Sequence, residues 1–361
     1  MLKRMATEKK KNWLESIPRM SRRVFAGASM LTGALGWPAL HAQSQLDTRK
    51  ITIAAGNKAA FYNLPLTIAE QLGYFRMEGL NVTIISHESG AQAVQAVTGK
   101  SADICFAGFE HVIRLQSVRQ MFQSFVLLGR APQTAFGVSN KSLPQYKSIA
   151  DLKEKKIGVA ALEGSSALMA SMVLAQGGLS VGDVSFLEVQ DHDGALASLR
   201  SGHVDAMSHT DPLMTILEQK GEIRIISDAR TLKGTTELFG GPMPAGCLFA
   251  PLDFIRRNPD TCQALANAMV RGLKWLQTAG PGDIIKTVPE NYLLGDRGLY
   301  IASFNKVRES ISLDGIFPED APRTAFKAIG SFAASVKSSR INLAQTYTNE
   351  FAQRAKARFK A

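Results

Sequence analysis

The chain has few cysteines, and none at spacings that would let them act together. Cys105, Cys247 and Cys262 are far apart and form no C-x-x-C pair, which excludes a zinc ribbon, a thioredoxin-like redox motif and a disulfide scaffold. Cys105 sits among apolar residues and reads as core, while a Cys247–Cys262 bridge stays open. There is no P-loop, no G-x-G-x-x-G and no Ser/His/Asp order that assembles into a nucleophilic triad. His192, His203 and His209 stand near Asp205, but not at the i, i+4 spacing of a helical metal site, so no metal, cofactor or catalytic residue is expected. Lys and Arg do not cluster with interleaved aromatics, so nucleic acid is not an expected partner. Long apolar runs are missing too. The stretch from Val24 to Leu40 is broken by Gly27, Gly33, Gly36 and Pro38 and is marginal for a bilayer span.

What is present fits a globular protein of two lobes. The 361 residues are 45% apolar and 20% charged, more chain than one typical domain needs. The net charge of +11 is unevenly placed. Residues 1–42 carry eight Lys/Arg against two Glu, leaving 34 against 29 in the remainder. The basic head reads as an export signal: Lys3 to Arg23 form the charged region, Val24 to Leu40 the apolar one, and Leu40-His41-Ala42 a cleavage site. Ser21-Arg22-Arg23-Val24-Phe25 resembles the twin-arginine signal, with Ala26-Gly27 departing from its usual end. No cysteine lies at the cut, so a lipid anchor is not supported. The mature protein is expected to be periplasmic and monomeric.

The chain is organised around residues 81–109. Val82-Thr83-Ile84-Ile85 and Asp103-Ile104-Cys105-Phe106-Ala107 are apolar runs of strand length, and Gly90 to Gly99 between them reads as a short helix with Ser89 as its N-cap. Strand, turn, helix, strand is the βαβ unit of a parallel sheet. Val184–Val189, Asp193–Gly202 and Val204–Met207 repeat the plan, again with Gly closing the helix and an Asp near the start of the next strand. Two similar α/β lobes follow, each a mostly parallel sheet flanked by helices. The polar stretch Asn140–Lys147 is placed at the first crossing and Phe239–Gly246 at the return. Lobe one then takes residues 48–138 plus 248–361, and lobe two takes 139–247.

Glycine and serine turns follow strand ends at 56–63, 86–91, 107–110, 161–166 and 208–212. In open α/β sheets, ligands sit beyond the carboxyl ends of the strands, where helix N-termini present free N–H groups. Two such sheets facing one another would make a cleft with donors on both walls. Ser89-Gly90-Ala91 and Gly164-Ser165-Ser166 are the segments expected to hold a ligand's polar head, because each follows a strand and opens a helix.

Pro65–Phe75 with Glu78-Gly79-Leu80-Asn81-Val82, then Asp151–Val159, then Phe254–Asp260, resemble in their order periplasmic substrate-binding proteins of the nitrate/sulfonate/taurine and thiamine-precursor type. Glu154 stands where Gly is commoner. The resemblance implies a type II periplasmic-binding fold, hinge closure over a small molecule, and delivery to an ABC transporter permease. By position it implies a pocket lined by Tyr62, Asn63, Ser89, Gly90, Ala91, Gly108, Phe109, Gly164, Ser165, Ser166, Thr210 and Asp211. The same resemblance extends to thiamine-pyrimidine synthases, but their cysteine-rich motif is absent. A sulfonate or similar oxyanion is the ligand this family favours. Yet Glu88, Glu110, Glu163, Asp191, Asp193 and Asp211 crowd the strand tips, while these loops hold no Arg and only Lys58 as a lysine. A neutral, aromatic or amine-bearing ligand, stacked on Tyr62 and Phe109, is the alternative.

Overall fold

The computed structural model describes residues 49–189, 192–293, 295–332 and 341–361. The export signal expected over 1–42 and the acid Asp191 lie outside the described residues.

The chain first lays down β1 (Arg49–Gly56), α1 (Leu64–Gln71), α2 (Tyr74–Met77), β2 (Leu80–His87), α3 (Gly90–Thr98), β3 (Ile104–Gly108), α4 (Glu110–Ser117) and β4 (Phe122–Leu127). It then builds β5 (Thr134–Ser139), β6 (Lys156–Val159), α5 (Ser165–Gln176), β7 (Ser185–Glu188), α6 (His192–Ser201), β8 (Ala206–Thr210), α7 (Leu213–Gln219), β9 (Ile223–Asp228) and α8 (Leu232–Phe239). After β10 (Gly246–Pro251) come α9 (Leu252–Arg257), α10 (Pro259–Thr278), α11 (Pro281–Thr287), α12 (Arg297–Val307), α13 (Ala321–Phe332) and α14 (Glu350–Phe359).

Two five-stranded sheets result, ordered β2-β1-β3-β10-β4 and β7-β6-β8-β5-β9. Each is parallel except for one strand inserted antiparallel between its neighbours, β10 in the first and β5 in the second. Those two strands are the ones that follow the crossings. The first crossing lies at 128–133, earlier than the polar stretch 140–147 suggested. Thr134–Ser139 pairs with β8 and β9, so this strand belongs to the second lobe and not the first. Its six residues are all buried, and an apolar run of that kind carries no mark of which sheet it joins.

The repeated unit is alike in both lobes down to individual hydrogen bonds. Asp103 accepts from the Thr52 N–H at 2.8 Å and returns its own N–H to the Thr52 carbonyl at 2.9 Å. Asp205 does the same with Lys156, at 2.9 and 2.7 Å. In each lobe the acid before the third parallel strand fastens the first. Ser89 caps α3 as its sequence position implies, accepting from the Gln92 N–H. The three cysteines are buried and free; Cys262 and Cys247 lie in separate apolar clusters, and the Cys247–Cys262 bridge is not present.

The two crossings run side by side. Leu128 and Gly129 donate to the Gly246 carbonyl at 2.8 and 2.9 Å, and Ala245 donates to that of Gly129 at 2.9 Å. The C-terminal region touches both lobes as well. Segment 310–312 hydrogen-bonds along the first crossing, Lys306 on α12 pairs with Glu218 on α7, and α13 packs on α4 but also on α5 and α8. Leu168 of α5 shares an apolar cluster with Phe317, Ala325, Ala328 and Ile329.

Candidate functional site

The carboxyl ends of β1 and β3 face those of β6 and β8 across a cavity of about 90 Å³. The crossings form its back, through Pro132, Thr134, Ala245 and Gly246. On the first lobe's wall, glycines stand where strand ends meet helix starts. A Cβ on Gly56 would lie 2.4 Å from the Gly90 nitrogen, so the end of β1 can touch the start of α3 only without a side chain. One on Gly108 would lie 2.2 Å from Oε2 of Glu110, whose carboxylate therefore folds back over the tip of β3.

Glu110 opens α4 and is 2% exposed. Its Oε1 accepts a 2.5 Å hydrogen bond from the Ser165 hydroxyl, which opens α5 in the other lobe. The floor of one lobe thus reaches the helix start of the other directly. Beside it, His111 Nε2 lies 3.9 Å from Oε1. Burial holds this imidazole below its ordinary pKa, with the Glu110 charge pulling the other way. Tyr62 donates its hydroxyl to the Gly56 carbonyl at 2.6 Å, and its ring lies parallel to Phe106 with centroids 6.1 Å apart. Burial raises the phenol, so it stays protonated.

Eight of the expected residues line the cavity: Tyr62, Ser89, Gly90, Gly108, Gly164, Ser165, Ser166 and Thr210. The other four stand elsewhere. Asn63 is buried behind the wall and braces it, donating to the carbonyls of Gly56 at 2.6 Å and Asn57 at 2.9 Å. Ala91 is within the first turn of α3 and does not reach the lining. Phe109, expected as a stacking wall, is fully buried against Phe317 with ring centroids 5.0 Å apart. A residue following a strand tip can turn either way, and this one turned into the core. Asp211 is buried in an ion pair with Arg230 at 3.3 Å and accepts from the Thr215 N–H. It faces a smaller neighbouring cavity of about 50 Å³ that shares Asn57, His209 and Thr210 with the first.

Sequence reasoning missed His111 and the crossing residues as parts of the site, and weighed His209 only as a metal or catalytic ligand. It noted Glu110 only as one acid in a crowd. The one available signal was the adjacent pair Glu110-His111 at the start of a helix, one residue beyond a glycine-ended strand. The charge of the site is one-sided: Glu88 and Glu110 are among the lining residues, and no Lys or Arg is. Lys58, the single lysine of the expected loops, pairs with Glu70 at 2.6 Å. Among the described residues no group of three or more His, Cys, Asp or Glu is placed to hold a metal ion, and no helix is long and apolar enough to cross a membrane.

Comparison with known proteins adds a family. The family described as NMT1/THI5 like matches residues 60–279. A solved structure from Bordetella bronchiseptica RB50 is 48% identical, covers 86% of this chain and 98% of its own, and superposes with a TM-score of 0.83. YtlA of Bacillus subtilis (strain 168), named as a binding protein, is 22% identical over 70% of this chain and 74% of its own length. The alkanesulfonate-binding protein SsuA of Xanthomonas axonopodis pv. citri, solved with MOPS bound, is 18% identical and covers 83% of this chain and 98% of its own at a TM-score of 0.64, a likeness of fold.

Proposed function

The chain belongs to the NMT1/THI5-like family, and on that premise we propose that it is the solute-binding component of an ABC-type importer. It captures one small organic molecule between its lobes, hands it unchanged to a membrane permease, and works as a monomer in the periplasm. The observation that carries this reading is the Ser165–Glu110 hydrogen bond. It joins helix starts from two separate sheets inside the cavity, so a ligand bound there touches both lobes and biases them towards closure by its preference for the closed form. The residues in the walls suit binding better than turnover. Tyr62 is held as a neutral phenol, and none of the three buried thiols is among the lining residues.

The test is native mass spectrometry of the protein purified from a periplasm, followed by small-angle scattering with and without the molecule it carries. One unaltered molecule per chain and a smaller radius when bound are expected. Turnover of that molecule would move the protein to the enzymes of the wider family. Export has its own check. With Arg22 and Arg23 both changed to Lys, the precursor should stay in the cytoplasm, and unchanged export would reject the twin-arginine route.

A further inference from the structure

We propose that the ligand of this cleft carries a positively charged nitrogen group, and that Glu110 is its counter-ion. The inference rests on the receptor reading above and names the ligand's chemical class. A buried carboxylate is costly unless it is paired or well hydrogen-bonded. Glu110 is 2% exposed. Among the described residues, the side chain that donates to it is Ser165, a neutral hydroxyl, and that bond engages Oε1. Oε2 lies over Gly108, itself part of the lining. His111 is the near basic group, and burial disfavours its charged form. Arg114, one turn further along α4, is not among the lining residues.

An acid in the first turn of a helix is ordinarily explained by the helix dipole alone. That account leaves two features without a reason. The carboxylate is folded over a glycine that a Cβ would exclude, and it reaches across to the opposite lobe. Both are needed if it must meet a ligand at the cavity floor. An N–H⁺ donor on Oε2, with Ser165 kept on Oε1, would satisfy the carboxylate from both sides and hold the lobes together through one group. An oxyanion in the same place would face Glu110 with no Lys or Arg in the lining to offset it. The helix starts at Ser89 and Gly164 remain available for a second, electronegative end of the same molecule.

The test is a thermal-shift and calorimetric series on the whole mature protein and on Glu110→Gln, which keeps the shape and can still accept from Ser165. The probes are propylamine, acetamidine and methylguanidine, each beside a neutral counterpart (propanol or acetamide), with ethanesulfonate and nitrate as anions. Stabilisation by at least one cation over its neutral counterpart is expected, with affinity reduced about 10- to 100-fold in Glu110→Gln. The melting curve of unliganded Glu110→Gln separates this from misfolding. Should the variant not fold, the wild-type ranking of cation, neutral and anion decides alone. Preference for ethanesulfonate or nitrate overturns the cation class while leaving the receptor reading intact. Equal binding of a cation by Glu110→Gln overturns the role of Glu110. If no probe binds and the molecule found by mass spectrometry has no cationic nitrogen, the inference fails. If there is also no closure, the receptor reading fails with it.

Discussion

The hydroxyl of Ser165 donates to Oε1 of Glu110 at 2.5 Å, across 55 residues of sequence and from one sheet's helix to the other's. Each residue opens a helix just beyond a parallel strand, Glu110 after β3 and Ser165 after β6. The helix start after the third parallel strand of one lobe thus meets the helix start after the first parallel strand of the other, and the contact exists only while the lobes are together. Changing Ser165 to Ala should therefore weaken closure more than folding, since its side chain caps nothing in α5. A hydrogen bond to a charged group contributes about 1.5–3 kcal/mol, which sets the largest expected loss of affinity. Calorimetry beside a melting curve measures both. Unchanged affinity would mean that the bond plays no part in holding the closed form.

Replacing Gly108 by Ala is expected to abolish tight binding without unfolding the chain. Gly108 is not among the glycines with positive φ, so the backbone accepts a side chain. The new Cβ would stand 2.2 and 2.4 Å from the two Glu110 carboxylate oxygens, which must then move. Affinity should fall by about as much as in Glu110→Gln, on the order of 10-fold or more. A binding curve like that of the wild type would show that the position of Glu110 is immaterial.

Arg230 supports the second lobe. Its side chain is 1% exposed and bonds Asp211, Asp228 and Glu218 at 3.3, 2.6 and 3.2 Å. Changing Arg230 to Met leaves the buried Asp211 carboxylate without its partner, at a cost of about 3–5 kcal/mol in urea unfolding. Adding Asp211→Asn should recover part of that loss, because the uncompensated charge goes with it. No recovery would place the cost in lost packing.

Stability should fall as pH drops below about 6.5, the ordinary histidine value, with His111 contributing. Burial depresses its folded-state pKa, so in that window the unfolded chain binds a proton that the folded chain does not. Acid therefore favours unfolding, while above the unfolded value the contribution is constant. Melting temperatures of the wild type and of His111→Gln from pH 8 to pH 5 provide the check. The gap between them should narrow, or reverse in sign, on the acid side. A gap independent of pH would remove His111 from the acid sensitivity.

Much of the fold is written in local pattern. The βαβ unit at 81–109 and its copy at 184–207 are visible as apolar runs, glycine stops and an Asp near the next strand, because strand length, helix capping and turn chemistry are short-range properties. For the same reason eight of twelve expected residues line the cavity: glycine and serine after a strand mark the places where a backbone must turn and expose its N–H groups. The tertiary structure decided what depends on partners far along the chain. It placed β5 in the second sheet, since an apolar run pairs wherever a complementary edge is open. It turned Phe109 into the core and joined Asp211 to Arg230. Above all it singled out Glu110 from a crowd of acids. Sequence marks a carboxylate, but its burial and its neighbour across the cleft arise only where the two lobes meet.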